Sequence, residues 1–228
     1  MLDLMLFAVW PYVAVAVCLV GLVWRWRVDQ FGWTTLTSLL SEKRILNWAS
    51  PLFHVGALLV ILGHVAGLLI PKAWTVALGV PPATYHLVAV SLGVVAGAML
   101  TVGTVALVLR RFILRTRLRL VTRRGDIVMY VILGLQIVLG LWQTIGFTAL
   151  EARPSFDYRD SVSLWFRSIF VLQPDVAAMT PAPWAFKAHA ALAFALIAVW
   201  PFSRLVHVFS IPIGYLTRPA IVYRHQGS

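Results

Sequence analysis

Apolar residues in this chain do not alternate with polar ones at the spacing of an amphipathic helix or strand. They run on in blocks of about 20, the length a helix needs to cross a hydrocarbon core. Five such blocks are visible, at about 4–23, 50–70, 86–109, 127–148 and 185–206. Lipid offers no partner for a free backbone N–H or C=O, so each block is expected to be a helix. The expected fold is all-α, one domain over 1–228, an integral membrane bundle of five transmembrane helices. The first block closes at Trp24-Arg25-Trp26-Arg27, where aromatic rings suit the headgroup level and arginines the water beyond. It lacks a basic leader and a small-residue cleavage site, so it is read as a retained span. The 71–84 connection carries Pro71, Pro81 and Pro82 and reads as a rigid turn. The 149–184 connection is the long one. Within it, Ser161–Phe170 fits either a short helix lying in the interface or an ordinary loop packed over the bundle.

Composition sharpens this picture. Of 228 residues 61% are hydrophobic and 12% charged, and the mean hydropathy is +0.87, which excludes a soluble enzyme. A net charge of +11 would suit nucleic acid in a soluble domain. Here the cations fall between the spans, and no nucleic-acid partner is expected. Arg25, Arg27, Lys43 and Arg44 follow the first span, seven arginines from Arg110 to Arg124 follow the third, and Arg204, Arg218 and Arg224 lie at the end. The opposite side holds Lys72, Arg153, Arg159, Arg167 and Lys187. The positive-inside rule therefore predicts the N-terminus outside and the C-terminus in the cytoplasm of a bacterial or archaeal cell membrane. The 110–126 arginines suit membrane lipids or an acidic soluble subunit. Cys18 is the one cysteine, so no disulfide, thiolate metal site or Cys-x-x-Cys-His haem attachment exists within the chain.

Titratable groups at membrane depth are costly and usually face a site in the bundle. His54 and His64 fall on the second block, His189 on the fifth and His207 at its end. The two blocks run antiparallel, so His64 meets His189 near the outer face and His54 meets His207 near the inner face. No carboxylate or cysteine accompanies either pair in the sequence. Two facing imidazoles suit the axial positions of a six-coordinate iron, whereas zinc wants three or four ligands at one point. The residues therefore predict two non-covalent b-type haems. Gly56, Gly63, Gly67 and the alanines around His189 either leave room for a ring or let helices approach closely. One strain is evident. His189 and His207 lie 18 residues apart, about 27 Å of ideal helix, against about 15 Å between His54 and His64. Pro201 is expected to kink the fifth span.

Bis-histidine iron has no open position, so electrons are expected to enter and leave. In lipid the available two-electron donor is a quinol. His86, at the outer start of the third block, is either a quinol contact or an exposed interfacial side chain. Arg204, three residues before His207, suits a haem propionate, and Arg111 is a second candidate for such a contact.

At these residues the chain resembles the gamma, cytochrome b, subunit of the membrane-bound respiratory nitrate reductase. The resemblance is carried by Asn47-Trp-Ala-Ser-Pro-Leu-Phe-His54 with His64 ten residues on, by the basic Arg110–Asp126 segment, and by Pro201-Phe-Ser-Arg-Leu-Val-His207 leading to Tyr215-Leu-Thr-Arg218. It implies His64 and His189 as distal and His54 and His207 as proximal haem ligands, with Gly63 and His64 where the quinol pocket meets the distal haem. It also implies electron delivery to an iron–sulfur (beta) subunit and then a molybdenum (alpha) subunit that reduces nitrate. His86 departs from the pattern, standing where a relative has lysine. The alternatives are a quinol-dehydrogenase subunit of a related, for example sulfur-compound, oxidoreductase, a proton or cation transporter using the histidines, or a purely structural anchor.

Overall fold

The computed structural model describes residues 1–28, 44–114, 122–149 and 156–210. Among them all regular structure is helical, and five helices are long and apolar enough to cross a membrane: α1 (Leu2–Val28), α2 (Arg44–Leu69), α3 (Pro82–Leu114), α4 (Arg124–Gly146) and α5 (Trp184–Phe202). Most run past the expected limits, because hydropathy registers only the lipid-buried part of a helix. At 33 residues α3 spans roughly 50 Å, well beyond a hydrocarbon core of about 30 Å. Trp24–Arg27 are the last turns of α1 rather than a loop, and Arg110 and Arg111 are buried in the last turn of α3. The predicted basic loop thus begins later. Arg115, Arg117 and Arg119, and the Tyr215–Arg218 segment, lie outside the described residues.

The helices pack in the order α2, α3, α4, α5, α1. The α2–α3 contact is the closest. A Cβ on Gly56 would stand 2.6 Å from the backbone nitrogen of Leu100, and one on Gly103 would stand 2.6 Å from that of Phe53. Two glycines facing opposite ways let the two backbones touch. Large apolar side chains such as Leu19, Leu58, Ile61, Val95, Val102 and Val138 point outward, as lipid-facing residues do.

Side-chain packing is densest where the 156–183 segment covers one end of the bundle. Phe7, Trp165, Met179 and Phe194 are the largest of its buried members. The helix Val162–Phe170 settles the open reading of that stretch: it is a helix, and it is packed on the bundle. Trp165 is 1% exposed, lies edge-on to Phe7 at 5.5 Å and donates to the Phe7 carbonyl at 2.7 Å. That carbonyl belongs to a π-turn, Met5–Val9, and α2 ends in another, Val65–Leu69. There Ser163 donates to the Gly67 carbonyl and Arg167 to that of Leu68. Helix-end carbonyls that lack a partner within the helix are thereby satisfied.

Two expectations need correction. The 71–84 connection is not only a turn, since Lys72–Ala77 forms a short helix that closes at Gly79 with a φ of 77°. The fifth span does not continue to 206. Its α-helix stops at Val199, Trp200–Phe202 forms a single 3-10 turn, Ser203 is extended, and a separate 3-10 segment, Arg204–Ser210, follows. Pro201 cannot donate into a continuing helix, so the break falls where it stands.

Candidate functional site

The four histidines come together in the two pairs expected. His64 and His189 have ring centroids 6.0 Å apart with planes at 13°. His54 and His207 are 6.1 Å apart with planes at 76°. The end of the α-helix at Val199 removes the mismatch in spacing, because His207 does not continue the axis of α5. It sits on the redirected 3-10 segment and meets His54 from there.

Each ring is held in a particular way. Nδ1 of His54 donates to the Ser50 carbonyl at 2.7 Å, Nδ1 of His64 to Val60 at 2.7 Å, and Nδ1 of His207 to Arg204 at 2.6 Å. A backbone acceptor on Nδ1 selects the tautomer that leaves the Nε2 lone pair free. The Nδ1–Cε1 edge of His189 lies against Gly140 of α4, where a Cβ would stand 3.3 Å from Cε1. Its Nδ1 is buried without a well-formed hydrogen bond, the Gln136 backbone lying beside it.

A metal ion bound to both rings at about 2.0–2.1 Å, the usual metal–imidazole length, separates their centroids by roughly 6 Å. Both pairs meet that spacing. Among the described residues no three or more His, Cys, Asp or Glu side chains cluster as a metal site. Each pair thus offers two imidazoles at a spacing that axial ligation would need, and too few donors for a tetrahedral ion.

The small residues divide. Gly56 serves the contact with α3, and Gly67 lies under Tyr158, whose hydroxyl would be 3.0 Å from an added Cβ. Neither leaves room for a ring. Gly63 does, since a Cβ there meets nothing within 4 Å. Ala190 packs into the core around Trp165, and the Ala191 carbonyl accepts from Trp10.

Arg204 is engaged already. Its backbone N–H donates to Asp126 Oδ1 and its Nη2 to Asp126 Oδ2, each at 3.0 Å. Asp126 is 4% exposed. Asp126 reaches the inner pair only at one remove: it is bonded to Arg204, whose carbonyl accepts from His207. It is adjacent to neither pair in sequence and lies among arginines. The only signal for it was a lone acid in a strongly basic segment. Arg111 is buried with its Nε on the Thr122 hydroxyl at 2.8 Å.

His86 is exposed in the first turns of α3, next in sequence to Tyr85, which belongs to a polar cluster. Arg159, buried, lies over the Tyr85 ring at 3.8 Å and donates to Thr75. The Tyr158 hydroxyl lies 3.4 Å from that of Tyr85. Burial, and then this contact, push the Tyr158 phenol up, so it stays protonated. Lys72 bridges Asp157 at 2.7 Å and Asp160 at 2.5 Å. Hydrogen bonds to these carboxylates hold its ammonium above the ordinary lysine range.

Comparison with known proteins gives the family. A family model described as the nitrate reductase gamma subunit matches residues 3–226. The chain is 47% identical over 231 residues to the nitrate reductase-like protein NarX of Mycobacterium tuberculosis, covering 99% of this chain and 34% of that protein, so it spans about a third of that relative. It is 39% identical to the nitrate reductase gamma chain of Bacillus subtilis, covering 97% of each. Identity to the respiratory nitrate reductase 1 gamma chain of Escherichia coli is 32%, covering 95% of each. By the near-complete match and these identities, a five-helix chain with two facing histidine pairs belongs to the nitrate reductase gamma subunit family.

Proposed function

We propose that the chain is the membrane-embedded dihaem cytochrome b subunit of a respiratory nitrate reductase, taking electrons from quinol and passing them to iron–sulfur and molybdenum partners on the cytoplasmic side. The observation that carries this reading is the pair of imidazole clamps at 6.0 and 6.1 Å. Bound haem would supply one-electron storage at each clamp. His64 with His189 is assigned to the outer haem and His54 with His207 to the inner one, ten residues or about 15 Å apart along α2. The Nδ1 bonds to Ser50, Val60 and Arg204 set three of the rings for ligation and raise their basicity. Open space at Gly63, beside His64, suits the approach of a quinol ring, and His86 is assigned as a proton acceptor on that side. Arg204 keeps a buried Nε without a hydrogen-bond partner while Nη2 serves Asp126. Together with Arg111 it is assigned to haem carboxylates. The cation distribution supports a cytoplasmic position for this end.

The test is a reduced-minus-oxidised absorbance spectrum with haem quantification on the purified complex. Two b-type haems per chain are expected. Alanine at His64 or His189 should remove one of them, and alanine at His54 or His207 the other. A colourless preparation from cells replete with iron overturns the reading.

A further inference from the structure

We infer that Asp126 is a positioning residue for the inner haem ligand: it locks the backbone of Arg204, whose carbonyl oxygen in turn holds His207. The inference rests on the haem reading above and adds a residue that is not itself a ligand.

His207 needs such support. It stands on a short 3-10 segment after the end of the fifth span, and runs of this kind have poorer hydrogen-bond geometry than an α-helix. Its ring donates from Nδ1 to the Arg204 carbonyl at 2.6 Å. A shift of that carbonyl therefore turns or loosens the imidazole. Arg204 is pinned from its other end by Asp126, which accepts the backbone N–H on Oδ1 and the guanidinium on Oδ2. Oδ2 also accepts the Arg123 backbone N–H at 3.4 Å, which ties the same carboxylate to the start of α4. One buried group thus joins the first turn of a spanning helix to the backbone residue that orients a ligand.

The neighbouring residue is shaped for the same contact. A Cβ on Gly125 would lie 2.2 Å from the Phe202 carbonyl oxygen, so α4 can approach the turn before Arg204 only with glycine there. From the opposite side, Arg25 of α1 donates to the Pro201 and Ser203 carbonyls at 2.6 and 3.0 Å. Those bonds hold the approach to the segment, and Asp126 acts one residue further on, at Arg204 itself. A buried carboxylate is costly unless its oxygens are fully bonded. Here every bond named goes to the segment bearing His207 or to the cap of α4.

The experiment uses the whole complex in native membranes with Asp126→Ala, Asp126→Asn and Asp126→Glu. Haem content, midpoint potential and the low-spin electron paramagnetic resonance signal of each haem are read, with the signals assigned by His64→Ala and His207→Ala. In the alanine variant the inner haem should be retained about 10–100-fold less tightly, as when an outer-shell partner of a metal ligand is lost, or show a displaced potential and signal. The outer haem should stay as in the unaltered protein. Asparagine should displace the inner signal less, and glutamate should restore part of it. Should the alanine variant fail to accumulate, the isosteric asparagine variant carries the same readings. Inner signals identical to the unaltered protein in both variants overturn the inference, as does an equal change at both haems. An unaltered complex without haem overturns the parent reading instead, and that result is seen before any variant is made.

Discussion

Single positions in this chain divide by what a methyl group would meet. At Gly56 and Gly103 it would strike the backbone of the neighbouring helix, at 2.6 Å in each case. Gly56→Ala and Gly103→Ala should each destabilise the detergent-solubilised protein by about 1–3 kcal/mol, the usual cost of overpacking, read as a lower melting temperature. Gly63→Ala meets nothing, so its melting temperature should match that of the unaltered protein, with any effect confined to quinol kinetics. Gly140→Ala would press on the His189 ring. It should perturb the spectrum assigned to the His64–His189 pair and leave the other pair alone. Both histidine pairings were legible in sequence, because antiparallel spans order their residues by depth, although 18 residues on one side faced ten on the other. The division of the glycines was not. Gly56, Gly63 and Gly67 look alike on a sequence, and only the position of α3 and of Tyr158 separates them. Asp126 was hidden for a related reason: its partner, Arg204, is 78 residues away.

At the level of the helices, five blocks of apolar residues were enough to count the spans. Their ends were less legible, since a helix continues into the headgroup region with polar residues once its hydrogen bonds are established. Arg25, Arg110 and Arg111 look like loop residues by charge, yet they are inward-facing turns of α1 and α3. The break in α5 was foreshadowed by Pro201, but the independent turn that carries His207 was not, because proline marks where a helix stops and not where the chain goes next. The helix Val162–Phe170 makes its own prediction. Trp165 fills the space between Phe7 and Phe194 and satisfies the Phe7 carbonyl. Trp165→Ala should cost about 3–5 kcal/mol, and limited proteolysis should then open the 156–183 segment before the spans themselves.

For the molecule as a whole, the end that carries Lys72 is closed by ion pairs across distant parts of the chain. Lys72 to Asp157 and Asp160 ties the α2–α3 connection to the α4–α5 connection. The lysine is held above its ordinary range, so the bridge contributes its full stability below the pKa of an unfolded lysine, about 10.4. That contribution is lost as pH rises through the higher folded value. The side chains are partly exposed, at 32% for Lys72, which limits the effect to about 0–1 kcal/mol. Lys72→Met should therefore lower the melting temperature slightly at neutral pH, and the gap to the unaltered protein should close in strongly alkaline buffer. The ten residues separating His54 from His64 also have an electrical meaning. On the proposed reading an electron moving between the two clamps crosses about 15 Å of a core about 30 Å thick. A full crossing is worth about 2.3 kcal/mol per 100 mV, so half of it biases the charge distribution by about 1 kcal/mol. An energised membrane would then shift how an electron divides between the clamps, making that division responsive to voltage.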